Sequence, residues 1–215
     1  TDAQNLNKQN FYKIWAGGKL EYIFDNTRSM GLNLYNGLRF KLFGEAYKRV
    51  DTLKAELFVV GADFRHYFRL HRCLIWANRL AASTSFGSNR LIYYLGSVDN
   101  WMNLSTKTET FDYTIPIDQK HNYAYQTLAT NMRGFTQNIR NGNSFALINS
   151  ELRWPIIRYF SNRPINSDFF TNLQLIGFFD IGSAWTGLTP KSEDNAYNRE
   201  IINQGPITVI IDKDR

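Results

Sequence analysis

A single cysteine, Cys73, stands in 215 residues. One thiol cannot close an internal disulfide, and no group of cysteines and histidines has zinc-ligand spacing. Its neighbours Leu74, Ile75 and Trp76 read as strand, so the thiol reads as packed. Histidine is nearly as scarce, with only His66, His71 and His121. None has a serine or cysteine partner in a recognisable nucleophile motif. No glycine-rich phosphate loop is present. The expectation is therefore no enzymatic activity, no cofactor and no metal.

Long apolar runs are missing too. No stretch approaches the roughly eighteen residues of a membrane-crossing helix. The first ten residues are polar where a signal peptide would be apolar. Neither absence counts against a membrane β-barrel, whose strands alternate lipid-facing and lumen-facing residues and so average to an ordinary hydropathy. Runs of basic charge are also lacking. The net charge is +6, but the lysines and arginines are scattered, with no run of five. That pattern does not make a nucleic-acid footprint, and no nucleic-acid partner is expected.

Aromatic residues are abundant: 16 Phe, 12 Tyr and 5 Trp. Aromatics favour strands, and Tyr and Trp favour boundaries between a dry and a wet side. Alternation with a period of two predicts strands over 14–25, 37–49, 54–68, 72–86, 144–159 and 171–185. In the third, Phe58, Val60 and Phe64 share a face, and His66 falls on that face near its end. In the fourth, Trp76 and Leu80 share a face. In the fifth, Ile148, Leu152, Trp154 and Ile156 oppose Asn149, Glu151 and Arg153. In the sixth, Leu173, Leu175 and Phe179 oppose Gln174, Asp180 and Gly182. Parity alone thus puts Glu151 and Asp180 on polar faces. Phe43 interrupts the polar side of the second strand, and Pro155, which cannot donate to a ladder, should lie near a strand end.

These strands are long. Soluble domains favour five or six residues per strand, whereas a tilted membrane-spanning strand needs about nine to eleven. Length therefore favours a barrel wall over a sandwich. Residues 1–11, 26–31, 161–168 and 186–206 read as loop or turn, and Ile207–Ile211 as the start of another strand. Residues 87–142 are unlike the rest. Leu91–Gly96 reads as a strand end or a loop start. Asp99, Asn100 and Trp101, a Thr/Lys/Glu stretch, Pro116, Tyr123 and Tyr125 follow. So long a connection in a compact protein is usually functional or disordered; its aromatics predict one that packs on something.

Three motifs stand in order: Met132-Arg133-Gly134-Phe135, then Glu151 to Pro155, then Phe178-Phe179-Asp180-Ile181-Gly182. Together they resemble the BamA/TamA superfamily of outer-membrane β-barrels, the bacterial surface antigen family. The likeness covers 12–185 in outline and 131–185 in detail. It implies an all-β fold, an antiparallel transmembrane β-barrel. This chain would be a partial barrel of about six to seven long strands, the C-terminal portion of a longer protein, with strands missing before 1 and after 215. It implies that 87–142 is a long extracellular loop tucked into the lumen. Met132, Arg133, Gly134, Phe135, Glu151, Asp180 and Gly182 would then lock loop to lumen. An exposed loop arginine would be held by two carboxylates, Gly134 would turn the tip, and Phe135 would pack on the inner wall.

The resemblance also implies residence in the bacterial outer membrane. The partners would be outer-membrane lipid and lipopolysaccharide, client outer-membrane or secreted proteins, and periplasmic or surface accessory subunits. The implied function is insertion or export of proteins without nucleotide. A barrel anchoring a fused enzyme or propeller, and a soluble β-sandwich, are the competing readings. Three features depart from the family pattern. Met132 stands where Val or Ile is usual, and residues 1–215 contain neither a closing aromatic residue nor a periplasmic POTRA repeat.

Overall fold

The computed structural model describes residues 14–50, 55–97, 111–112, 115, 117, 121–187, 189–191, 199–204 and 207–212; for the last two stretches only the backbone is described. The strands are β1 Trp15–Asp25, β2 Arg28–Gly31, β3 Leu34–Arg49, β4 Glu56–His71, β5 Leu74–Phe86, β6 Arg90–Gly96, β7 Tyr123–Asn131, β8 Arg140–Gly142, β9 Ser144–Trp154, β10 Leu175–Trp185, β11 Arg199–Gln204 and β12 Ile207–Asp212. Two short helices, α1 Ile156–Phe160 and α2 Asp168–Asn172, lie between β9 and β10.

The main sheet is antiparallel, in the order β1-β3-β4-β5-β9-β10, with β2 paired to β3. Its six long strands have 11 to 16 residues each. The fold is all-β. Among the described residues the sheet is open, with β1 and β10 at its two ends.

Register turns the period-two pattern into two different surfaces. One row runs Phe24, Phe40, Phe64, Leu80, Ile148 and Ile181 across all six long strands. The next residue along each strand gives Asp25, Arg39, Arg65, Arg79, Asn149 and Asp180. Successive side chains point to opposite faces, so one face of the sheet is apolar and the other charged. The apolar face is the uncovered one: Phe58, Val60, Phe64, Trp76, Leu80, Ile148, Leu152, Leu175 and Phe179 are all exposed on it. His66 lies on this face against Phe68, ring centroids 3.7 Å apart.

The opposite face is covered at one end by the segment between β5 and β9. That segment is more than a loop. It holds a small sheet in which β6 pairs with β7 in parallel and with β8 antiparallel. The core lies between this sheet and the main one, where Leu91, Tyr93, Leu95 and Met132 meet Leu57, Val59, Phe145 and Leu147. Phe43 interrupts the polar alternation of β3 because its ring lies over Gly61, where a side chain would collide with it. Lys19 and Lys41 sit over that ring at 5.6 and 5.1 Å.

Several expected boundaries move. The fifth strand stops at Trp154 rather than Tyr159, because Pro155 has no N–H for the ladder and Tyr159 N–H donates to its carbonyl, opening α1. Ile156 is therefore helical. The sixth strand starts at Leu175 rather than 171, because 168–172 is α2 and Leu173 is its C-cap. Part of the expected turn at 26–31 is β2, and part of the expected loop at 186–206 is β11, which pairs with β12. The expected polar loop at 1–11, the stretch 99–110 and Pro116 lie outside the described residues.

Candidate functional site

β7 delivers Arg133 to the charged face. The strand ends at Asn131, whose carbonyl accepts a bond from Asn149 Nδ2 at 3.0 Å. Met132 is buried in the core, and its N–H donates to the Gly96 carbonyl at 3.0 Å. Gly134 follows with φ +85°, in the left-handed region that suits glycine, and no neighbour would obstruct a side chain there. Its requirement is conformational, for the turn of the chain. The Arg133 side chain is thereby held between a buried anchor and a turn.

The guanidinium meets both carboxylates. Nε donates to Asp180 Oδ2 at 2.9 Å and Nη2 to Asp180 Oδ1 at 2.8 Å, a two-pronged contact. Nη1 donates to Glu151 Oε1 at 2.6 Å. The backbone N–H of Arg133 adds a fourth bond, to Asp180 Oδ2 at 2.9 Å. Side-chain exposure is 11% for Arg133, 2% for Asp180 and 18% for Glu151. Bonds to Asp180, more than any other cause, raise the Arg133 pKa above its ordinary value, so the guanidinium stays charged.

Strand register explains how two carboxylates reach one fork. Asp180 on β10 lies opposite Asn149 on β9, and Phe178 opposite Glu151. The two acids therefore sit on one face in adjacent rows, a diagonal neighbour pair. Phe178 lies beneath the guanidinium, 4.1 Å from ring centroid to Cζ. The second oxygen of Glu151 takes Arg153 Nε at 2.8 Å and Nη2 at 2.6 Å. Nearby, Asp63 accepts from Arg65 at 2.9 Å and from Arg79 at 2.6 Å. A cavity of about 210 Å³ is lined by Arg65, Tyr67, Arg79, Arg133, Glu151 and Arg153, among others.

Every predicted site residue can be located. Arg133, Glu151 and Asp180 meet. Met132 is core and Gly134 is a turn. Gly182 abuts β9, where a Cβ would come 2.7 Å from Leu147 Cδ1. The Arg133 fork is spent on both carboxylates of the sheet. The Phe135 ring is 40% exposed, and the ring beneath the arginine is Phe178. The backbone carbonyl of Phe135 accepts from Ser97 N–H at 3.3 Å.

Sequence reasoning also missed partners. Arg153 shares Glu151, and Asn149 ties down the end of β7. Parity had placed Arg153 and Asn149 on the polar face, which was the available signal. Phe178 shares parity with Asp180, and that too was readable.

Chemically the arrangement is a clamp. Charge-assisted, two-pronged bonds give geometry as well as energy. Among the described residues no group of three or more His, Cys, Asp or Glu is placed to hold a metal ion. Comparison with protein-family models, curated proteins and solved structures found no match.

Proposed function

We propose that this chain is part of an outer-membrane β-barrel of the BamA/TamA type, which assists insertion or export of other proteins at the bacterial outer membrane without nucleotide. The observation that carries the reading is the clamp of Arg133 on Asp180 and Glu151. An isolated Arg-Gly-Phe is common; one whose arginine reaches both motif carboxylates is not expected by chance.

The uncovered apolar face supports the same reading. In a soluble sandwich the apolar face would be buried under a second sheet. Here the described residues cover the charged face instead. Eleven-residue strands extend about 36 Å at 3.3 Å per residue, enough to cross a hydrocarbon core of about 30 Å when tilted.

On this reading the segment 87–142 enters the lumen and the clamp fixes it against β9 and β10. The apolar face meets outer-membrane lipid and lipopolysaccharide. β1 and β10, at the ends of the sheet, need pairing in lipid, from further strands of the barrel or transiently from a client strand. Periplasmic or surface accessory subunits are further proposed partners.

The test is reconstitution. Vesicles holding the intact protein should speed folding of a urea-unfolded outer-membrane barrel client without nucleotide, and Arg133→Ala should reduce that gain. Client folding no faster than in vesicles holding an unrelated inert barrel would remove the assembly role and leave only anchoring.

A further inference from the structure

The connection between β9 and β10, residues 155–174, is hydrogen-bonded to the turns beside it. Arg158 Nη1 donates to the Met30 carbonyl at 2.9 Å. Arg72 Nη1 donates to the Tyr159 carbonyl at 2.9 Å, and His71 Nδ1 bonds the Tyr159 hydroxyl at 2.9 Å. Gln174 Nε2 donates to the Leu32 carbonyl at 2.6 Å. The connection is thus tied to the neighbouring turns at several points.

Its large apolar side chains face out. Phe160 is 65% exposed, Phe169 69% and Phe170 48%. Water would favour the reverse arrangement. Trp154 stands on the apolar face of the sheet, two residues beyond Leu152, and Phe160 packs on it at 5.8 Å between ring centroids. Phe160 therefore continues the apolar face past its strand ends, and Phe169 and Phe170, packed on each other at 5.3 Å between ring centroids, are exposed on the neighbouring helix α2. Leu32 and Leu70, in the adjoining turn and strand end, are exposed at the same end of the sheet. Exposed charge there is mostly positive: Arg28, Arg69, Arg72, Arg158 and Arg163 against Asp25 and Asp168.

We propose that residues 155–174 form an interfacial membrane anchor, with Phe160, Phe169 and Phe170 entering the edge of the hydrocarbon and the surrounding arginines meeting anionic phospholipid headgroups. The inference rests on the reading of the apolar face as lipid-facing. Aromatic rings beside basic side chains are the composition that settles at a bilayer boundary. Continuity with the apolar face and the sign of the charge favour lipid over a protein partner. Phospholipid is the anion chosen because this end lies opposite the one from which the segment 87–142, expected outside the cell, departs.

The experiment uses the intact protein in vesicles, with Cys73→Ala as background and an environment-sensitive fluorophore on the thiol introduced by Phe169→Cys, Phe160→Cys or, as control, Ile148→Cys. Lipids carrying a quencher at known depth report position. The label at 148 should be quenched from deep in the bilayer and those at 160 and 169 from just below the headgroups, more strongly once phosphatidylglycerol is added to phosphatidylcholine. Aqueous emission at 160 and 169 with a deeply quenched 148 overturns the anchor and leaves the lipid-facing sheet intact. Aqueous emission at all three overturns both. Quenching indifferent to phosphatidylglycerol removes the headgroup contact. If Cys73→Ala does not fold, brominated-lipid quenching of Phe169→Trp against the parent protein answers the same question.

Discussion

Arg133→Lys is the sharpest probe of the clamp, because it keeps the charge and removes the fork. The guanidinium makes three side-chain bonds, two to Asp180 and one to Glu151. A lysine ammonium is a point charge without the planar fork that serves two carboxylates at once, so at least two of the three bonds should go. Charge-assisted bonds contribute about 1.5–3 kcal/mol each. The retained charge and water entering beside the partly exposed Glu151 recover much of that, leaving an expected loss of about 2 kcal/mol.

Arg133→Ala goes further, since Asp180, with a side chain only 2% exposed, then keeps its charge without its cationic partner. Breaking a buried pair in this way costs about 3–5 kcal/mol, and the exposure of Glu151 argues for the lower end. Urea unfolding in detergent micelles reads both variants. Trypsin adds a local readout, because lysine preserves the cleavage site: mass spectrometry should find faster cutting after residue 133 in Arg133→Lys than in the parent. Unchanged unfolding midpoints and unchanged cutting would show that the contact does not hold the segment in place.

Two further outcomes follow from other parts of the fold. Ile148→Arg should lower stability in bilayers by about 2–4 kcal/mol, the cost of an arginine on a lipid face near the midplane, and equal stability of variant and parent in vesicle refolding titrations would count against a lipid-facing row. Burial pushes the Tyr93 hydroxyl from 10.0 up to about 12, so the fold favours its neutral form: that contribution, about 2–3 kcal/mol, is complete below pH 10 and lost as pH rises through about 12. The stability gap between the parent and Tyr93→Phe, which also loses the 2.9 Å contact with Ser83, should accordingly narrow over that range; a constant gap would contradict the assignment.

The two faces of the sheet were legible in the amino-acid order because each strand residue chooses its side by parity alone. Ile148 and Asn149 differ by one position and therefore face opposite ways whatever the rest of the chain does. Glu151 and Asp180 could be placed on a polar face for the same reason. Parity carries no information on which face is covered. That was decided when the segment between β5 and β9 folded its own small sheet onto the charged side, a set of long-range pairings with no local period to announce them. The parallel pairing of β6 with β7 joins residues more than thirty positions apart.

Strand ends were only partly open to local reading, Pro155 marking the end of β9. Leu173 and Ile156 continue the apolar alternation, yet Pro155 and the helical residues Asp168–Asn172 end the ladders before either can join. The clamp divides in the same way. Its charges were readable by parity, but which ring lies beneath the guanidinium was not. Cross-strand register sets Phe178 opposite Glu151, and the tertiary fold lays Arg133 over that ring.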